Sequence, residues 1–192
     1  MAEENLSAVL YGVNDIRLEQ REVPIPAANQ LLISVNTVGI CGSDVHFWKN
    51  GAIGNFVVKE PMVLGHETCG TVAGVGAHVK GFSVGDRIAI EPGIPCRECE
   101  YCKIGRYNLC PEVKFFATPP THGSLARYIV HDADFCYKCA SNTSELLVLV
   151  LIVCVDGGDP PRSREARGAT APQEQEFRDG SSVALVKKWT RR

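Results

Sequence analysis

Two features that would assign a function quickly are missing from this 192-residue sequence. It has no Gly-x-Gly-x-x-Gly turn, the pattern with which a helix N-terminus binds the pyrophosphate of a dinucleotide, so we expect no doubly wound nucleotide-binding (Rossmann) domain. It also has no apolar run long enough to cross a bilayer. The longest run, Leu146–Val155, would extend about 15 Å as a helix, roughly half the hydrocarbon thickness.

The sequence has little net charge and no pattern typical of export. Its formal net charge is −2, which gives no reason to expect a nucleic acid or an anionic membrane as partner. The first residues, Met1–Asn5, lack the cationic flank and apolar core of a signal peptide, so we expect a cytoplasmic protein. Nine cysteines are present, and an odd, clustered set without a secretory signal favours metal binding over disulfides.

The pattern of apolar residues predicts a mainly β domain up to about residue 138. Leu31–Ile40 alternates, with Leu31, Ile33, Val35 and Thr37 expected on one face. Further short strands are expected at Ser7–Tyr11, Ile16–Gln20, Thr68–Val75, Ile88–Ile90 and Ser124–Val130, and a short helix at Ser43–Lys49. Many short strands with frequent glycine are typical of a small irregular barrel. Residues 139–192 change character, and the Gly/Pro/charge-rich part of this tail is expected to be disordered.

Four cysteines lie within fifteen residues, at Cys96, Cys99, Cys102 and Cys110. Spacings of three let a chain curl round one ion, and four thiolates close a tetrahedral zinc shell so that no substrate can bind. We therefore predict a structural zinc site, with an iron–sulfur cluster as the chemical alternative.

A second candidate set, Cys41, His66 and Glu67, combines three ligand types across about 25 residues. Three protein ligands with a fourth position open to water or substrate is the arrangement of a catalytic zinc. Taken singly, however, each residue is more often a core or solvated side chain.

The surrounding motifs resemble the zinc-dependent medium-chain alcohol dehydrogenase family, in particular its sorbitol (polyol) dehydrogenase branch. The resemblance covers about residues 6–138 and rests on VGICGSDVH (38–46), PMVLGHE (61–67), GDRIAIEPG (85–93), GRYNLC (105–110) and FATPP (116–120). It implies a chaperonin-10-like (GroES-like) barrel with a structural zinc lobe. It also implies oxidation of a small-molecule polyol to the ketose, with NAD as hydride acceptor.

By the same resemblance, Cys41, His66 and Glu67 are the catalytic zinc ligands. Ser43 and His46 fall where related dehydrogenases place a proton relay, although a helix N-cap and a surface histidine explain them equally well. Phe47, Phe116 and Thr118 fall at positions that line the substrate pocket.

The family continues into a glutamate-rich helix and a nucleotide-binding domain, whereas this sequence continues into Cys139 and an unrelated tail. We therefore expect an incomplete catalytic domain at 1–138 that is inactive alone and holds no cofactor-binding residue. An altered splice or frameshift is the favoured origin of the tail, and a purposeful replacement is the other. The alternative function is a non-enzymatic zinc-binding module that associates with full-length subunits or another protein. A zinc-finger-type nucleic-acid binder is disfavoured by the neutral charge balance.

Overall fold

A computed structural model describes residues 4–140 and the pair 187–188 of the chain. The apolar run Leu146–Val155 and nearly all of the predicted tail lie outside the described residues. Within them, no helix is long and apolar enough to span a membrane.

The described residues form a mainly β fold, as predicted, with two short α-helices. The helices are α1 (Gly42–Asn50) and α2 (Glu100–Lys103), and single 3₁₀ turns lie at Tyr107–Leu109 and Ala133–Phe135. The strands are β1 (Asn5–Gly12), β2 (Asp15–Arg21), β3 (Gln30–Gly39), β4 (Ala52–Ile53), β5 (Phe56–Val57), β6 (Met62–Val63), β7 (Glu67–Val75), β8 (Arg87–Ile90), β9 (Gly93–Ile94), β10 (Lys114–Phe115), β11 (Tyr128–Asp132), β12 (Cys136–Lys138) and β13 (Lys187–Lys188).

Two antiparallel sheets carry most of these strands. The larger has the order β11-β3-β7-β8-β12, and β13 pairs with β3 at Thr37 and Val38, beyond the end of β11. The smaller has the order β2-β1-β6. The two sheets are joined where Ala8 N–H donates to the Leu125 carbonyl and Arg127 N–H donates to the Leu6 carbonyl. This connection closes the strands around one core, which accounts for the predicted barrel.

Alternation along β3 places its apolar residues in that core. Leu31, Ile33 and Val35 are buried, whereas the residues between them are half-buried. Ile88 and Ile90 of β8 are fully buried in the same cluster. The predicted inward face of β3 is therefore confirmed.

One predicted strand begins later than the sequence pattern indicates. The pattern predicts a strand over Ser124–Val130, but β11 begins at Tyr128. Before that residue the chain bonds to a different segment, since Ser124 N–H donates to the Gly65 carbonyl and Leu125 N–H to the Leu64 carbonyl. Ser124 and Leu125 thus lie against the loop that carries His66, and the chain joins β3 of the large sheet from Arg127 onward, whose carbonyl accepts the Val35 N–H.

Candidate metal centres

The first candidate centre brings together three residues from two elements. Cys41 is the N-cap residue of α1, His66 directly precedes β7, and Glu67 is the first residue of β7. One ligand atom of each of the three lies within 4.8 Å of the others. Because β3 pairs with β7 and leads directly into α1, the sheet register places the two parts of the sequence beside each other. The predicted trio therefore meets in space.

Gly39 provides the room for the Glu67 carboxylate. The two residues are opposite each other in the β3–β7 ladder. A Cβ atom on Gly39 would lie 2.2 Å from Oε2 of Glu67, far inside van der Waals contact. Any side chain at position 39 would therefore occupy the space of the carboxylate.

Asp44 links the two ligand segments, a role that sequence reasoning did not assign. Its side chain is 3% exposed. Oδ2 accepts the Cys41 N–H at 3.0 Å, and Oδ1 accepts the Gly65 N–H at 2.8 Å. Oδ1 also lies 3.7 Å from Nδ1 of His66. The Asp44 carboxylate thus orients the backbone at Cys41 and at Gly65, which precedes His66. Residues that bind no metal themselves commonly orient metal ligands in this way.

Gly65 completes this arrangement because only glycine suits its backbone. Its φ is +89°, in the left-handed region, and a Cβ atom there would lie 2.7 Å from Cγ of Leu125. The turn at Gly65 directs its N–H to Asp44 and the next side chain, His66, toward Cys41.

The pKa values of the two ligand side chains shift in opposite directions. Burial lowers the pKa of His66, but Asp44 and Cys41 outweigh it and raise that pKa to about 10. His66, opposed by burial and assisted by Ser43, lowers the pKa of the Cys41 thiol. The pair therefore favours a thiolate beside a protonated imidazole, and binding of a cation has to displace the imidazole proton.

The residues present fit a zinc ion. Thiolate, imidazole and carboxylate are zinc's usual ligands, with bonds of about 2.0–2.3 Å, so ligand atoms within 4.8 Å of one another can converge on one ion with small side-chain adjustments. All three lie at one end of the large sheet, where Gly39 pairs with Glu67 and Asp44 binds the backbone N–H groups of Cys41 and Gly65. The set leaves a fourth position for a non-protein ligand.

The aromatic ring beside His66 belongs to Phe115, which sequence reasoning did not single out. Phe115 lies with its ring centroid 5.7 Å from that of His66, whereas the predicted pocket residue Phe116 is buried in the core, 4.7 Å from the ring of His131. Phe47 is only 4% exposed and also belongs to the core, so little of its ring is free to contact a substrate. The substrate roles of Phe47 and Phe116 stay predictions.

The other predicted residues lie on accessible loops and turns. Ser43 is half-buried in the first turn of α1 and hydrogen-bonds to Cys41, and His46 is exposed one turn later. Thr118 is half-buried in a turn bridged to Thr121. Their proposed relay and substrate roles stay predictions.

The second candidate centre is the cluster of four cysteines. Sγ of Cys102 lies 3.9 Å from Sγ of Cys96 and 3.5 Å from Sγ of Cys99. A disulfide requires about 2.05 Å, whereas sulfurs bonded to one tetrahedral zinc at about 2.3 Å are separated by roughly 3.8 Å. The sulfurs are therefore spaced for an ion rather than for a disulfide.

The pKa values of two thiols in this cluster shift in opposite directions, one because of backbone N–H groups and the other because of burial. N–H groups of Glu98 and Cys99 donate to Sγ of Cys96 and lower its pKa to about 7. Burial, with Cys99 next, raises the pKa of Cys102 to about 12. Binding of a cation at this centre therefore has to displace a firmly held proton, so metal affinity must rise with pH.

Comparisons with known proteins agree with this geometry. Residues 27–141 match the family profile described as Alcohol dehydrogenase GroES-like domain. The chain is 55% identical to sorbitol dehydrogenase of Bos taurus over 141 residues, covering 73% of this chain and 40% of that protein. It is 54% identical over 142 residues to "Probable D-xylulose reductase A" of Neosartorya fischeri, with the same two coverages of 73% and 40%.

Solved structures show the same fold. An oxidoreductase/dehydrogenase of unknown specificity from Escherichia coli superposes with a TM-score of 0.73 at 40% identity, covering 78% of this chain and 44% of that one. L-idonate 5-dehydrogenase from Escherichia coli gives a TM-score of 0.71 at 30% identity, with coverages of 80% and 44%. The chain thus spans about two fifths of the length of the curated relatives it matches.

Proposed function

Because the chain belongs to the alcohol dehydrogenase GroES-like domain family, we propose that it carries the metal-binding half of a zinc-dependent polyol dehydrogenase. Its substrate would be sorbitol or a related polyol, oxidised to the ketose. Cys41, His66 and Glu67 would hold the catalytic zinc, and the four cysteines would hold a structural one.

The observation that carries this proposal is the convergence of the trio. Cys41 lies 25 residues before His66, yet their ligand atoms and that of Glu67 lie within 4.8 Å. Gly39, Asp44 and Gly65 each have a contact that is specific to this convergence. Supporting residues of this kind are expected where a site has to hold an ion, and a chance cluster on a surface does not need them.

A zinc ion held by Cys41, His66 and Glu67 would supply Lewis-acid activation of the substrate hydroxyl, with NAD as the hydride acceptor. The residues of this chain would bind the ion, orient the substrate and shield the centre from water. Phe115 covers one side of the His66 ring and limits the approach of water. Ser43, beside Cys41, and the exposed His46 are placed along α1 so that a released proton can pass from the half-buried centre to solvent.

We propose further that the 192-residue chain by itself gives little turnover. The described residues contain no doubly wound sheet, and the sequence contains no Gly-x-Gly-x-x-Gly turn to hold the pyrophosphate of NAD. A hydride acceptor that is not positioned loses the large rate advantage of orientation.

The test is NADH formation from sorbitol by the zinc-loaded chain, beside a full-length polyol dehydrogenase as positive control and Cys41→Ser as the matched variant. We expect the chain to match the Cys41→Ser background while both proteins stay folded by circular dichroism. Sorbitol-dependent NADH well above that background would contradict the proposed inactivity of the isolated chain, and it would support the assignment of the trio.

A second candidate function is a zinc-binding module that associates with full-length subunits. Two observations favour it. The chain contains both ligand sets, and its matched region covers only about 40% of the length of the relatives. Size-exclusion chromatography of the chain mixed with a full-length polyol dehydrogenase distinguishes this module from the isolated dehydrogenase half. Co-elution would favour the module, and separate elution at concentrations of tens of micromolar would count against it.

A further inference from the structure

Arg97 has an unusual position between two ligands of the four-cysteine cluster. It follows Cys96 and precedes Cys99 by two residues, and its φ is +67°, in the left-handed region that non-glycine residues seldom adopt. A residue keeps such a conformation only where its surroundings determine it. The direction of the Arg97 side chain is thus set by the loop that wraps the cluster.

The side chain leaves the cysteine loop and reaches the barrel. Nη2 donates to Oδ2 of Asp132 at 2.8 Å and to both carboxylate oxygens of Asp134 at 2.9 Å, and Nε lies 3.3 Å from Oδ2 of Asp134. The guanidinium also lies 5.4 Å from the centroid of the Phe135 ring. A single side chain therefore contacts three residues of the segment that joins β11 to β12.

That segment is in turn fixed to the large sheet. Oδ1 of Asp132 accepts a hydrogen bond from Nε2 of Gln30 at 3.0 Å, and Ala133 N–H donates to the Asn29 carbonyl at 3.1 Å. The Phe135 carbonyl accepts the Glu91 N–H at 3.0 Å. Arg97 thus connects the cysteine loop to the beginning of β3 and to the end of β8.

The contact is more than an ordinary surface ion pair. Isolated exposed pairs contribute little, because each partner loses side-chain freedom and salt screens the attraction. Here a planar guanidinium is shared between two carboxylates, the Asp132 side chain is only 17% exposed, and an aromatic ring covers one face. Geometries of this kind give the stronger charge-assisted hydrogen bonds.

We propose that Arg97 is a positioning residue that couples metal occupancy of the four-cysteine cluster to the order of residues 132–135 in the barrel. This inference rests on the proposed metal loading of that cluster. With an ion bound, the cysteine loop is closed and Arg97 is held toward Asp132 and Asp134. Without it, the four cysteines are no longer held together, the turn of the loop is released, and the guanidinium is no longer directed at the barrel.

The test is hydrogen exchange at residues 132–135, measured with cobalt(II) bound at the cysteine cluster and again after chelation. Cobalt is used because thiolate-to-metal absorption reports occupancy directly. The Cys41→Ser chain serves as background, so that the trio does not contribute. In that background we expect chelation to raise the exchange rate at 132–135 about tenfold, the change expected from loss of a charge-assisted hydrogen bond.

Arg97→Asn is the decisive variant, because asparagine tolerates the left-handed backbone but is too short to reach Asp132. With cobalt bound, its exchange at 132–135 should already equal that of the chelated parent, and chelation should add nothing. Asp134→Asn removes one carboxylate partner of Arg97 in the barrel and leaves the cysteine loop unchanged. It should therefore also raise exchange at residues 132–135. Arg17→Asn, which removes another arginine–aspartate pair on the β1–β2 hairpin, should behave like the parent.

Two results would overturn the coupling. One is unchanged exchange at 132–135 in cobalt-bound Arg97→Asn, and the other is an equal rise on chelation in parent and variant. Absence of thiolate-to-cobalt absorption in the parent would reject the coupling and the proposed metal loading together. It is distinguishable from the first two results, in which the metal binds and the barrel does not respond.

Discussion

At the scale of single residues, the trio depends on neighbours that bind no metal themselves. Gly39 provides space, Asp44 provides two hydrogen-bond acceptors, and Gly65 provides a left-handed turn. Each acts on the backbone or carboxylate of a ligand rather than on the ion. Substitutions at these positions should therefore weaken metal binding more than they weaken the barrel.

Gly39→Ala tests the space for the Glu67 carboxylate. The added methyl would lie 2.2 Å from Oε2, so the carboxylate has to move away. We expect affinity for zinc at the trio to fall about tenfold or more, as for disturbed metal-site geometry generally. Competition with a chelating dye measures it. Gly12→Ala is the control, since a Cβ atom there meets nothing within 4 Å, and equal losses in both variants would reject the steric explanation.

Asp44→Asn tests the shared carboxylate. An amide has one acceptor oxygen, so one of the two buried backbone N–H groups of Cys41 and Gly65 loses its partner. We expect a loss of about 1–3 kcal/mol in the free energy of unfolding, and zinc binding weaker by about 10- to 100-fold. Urea denaturation and chelator competition measure the two effects. Asp15→Asn, on an exposed hairpin, should show neither, and unaltered zinc affinity in Asp44→Asn would contradict the positioning role.

His131 makes stability depend on pH. It is fully buried, Nε2 donates to the Glu91 carbonyl at 2.8 Å, and among the described residues Nδ1 has no hydrogen-bond partner. Burial lowers its pKa from 6.5 to about 4. The unfolded chain therefore binds a proton before the folded chain does, and stability present above pH 6.5 is lost as the pH falls toward 4.

The size of this loss is about 3 kcal/mol if the full shift is realised. His131→Gln keeps a donor for the Glu91 carbonyl and removes the titration. Chemical denaturation at several pH values between 7 and 4 should therefore give a flatter profile for the variant. Subtracting the two profiles cancels protonation of the metal ligands, and parallel profiles would show that His131 does not titrate in this range.

At the scale of elements, the segment that contains the four cysteines has almost no core of its own. Cys110 is buried, whereas the large side chains of Tyr101, Ile104 and Leu109 are exposed. A segment of this kind needs the ion for its stability, as small zinc-bound lobes generally do. The barrel strands do not, because buried residues of β3 and β7 belong to the apolar core.

We therefore expect chelation to unfold this segment locally. Amides of residues 99–110 should exchange rapidly after metal removal, while those of β3 and β7 stay protected. Hydrogen exchange with peptide-level resolution measures both in one experiment. Loss of protection in β3 at the same rate as in the cysteine segment would show that the two form one cooperative unit.

The sequence predicted the elements whose signals are local. Alternation indicated β3, the Ser43–Lys49 stretch indicated α1, and cysteine spacing indicated the second metal centre. It could not predict contacts that depend on register between distant strands. Asp44 reaches Gly65 across 21 residues, and which of two adjacent phenylalanines faces His66 is decided by the pairing of β9 with β10. Strand β13 depends on a similar distant pairing with β3.

At the scale of the whole molecule, the chain combines two separate ligand sets in a fold that longer relatives share. The trio lies where β3 ends and β7 begins, and the β9–β10 ribbon next to the cysteine segment brings Phe115 beside His66. Metal binding, rather than turnover, is therefore the property that this chain should show by itself.

The most direct measurement is zinc content per chain by native mass spectrometry, for the parent, Cys41→Ser and Cys99→Ser. The account predicts two zinc ions in the parent and one in each variant, since each substitution removes a ligand from one set only. A parent with fewer than two ions, or a Cys41→Ser chain with the same content as the parent, would contradict the assignment of the trio as a metal centre.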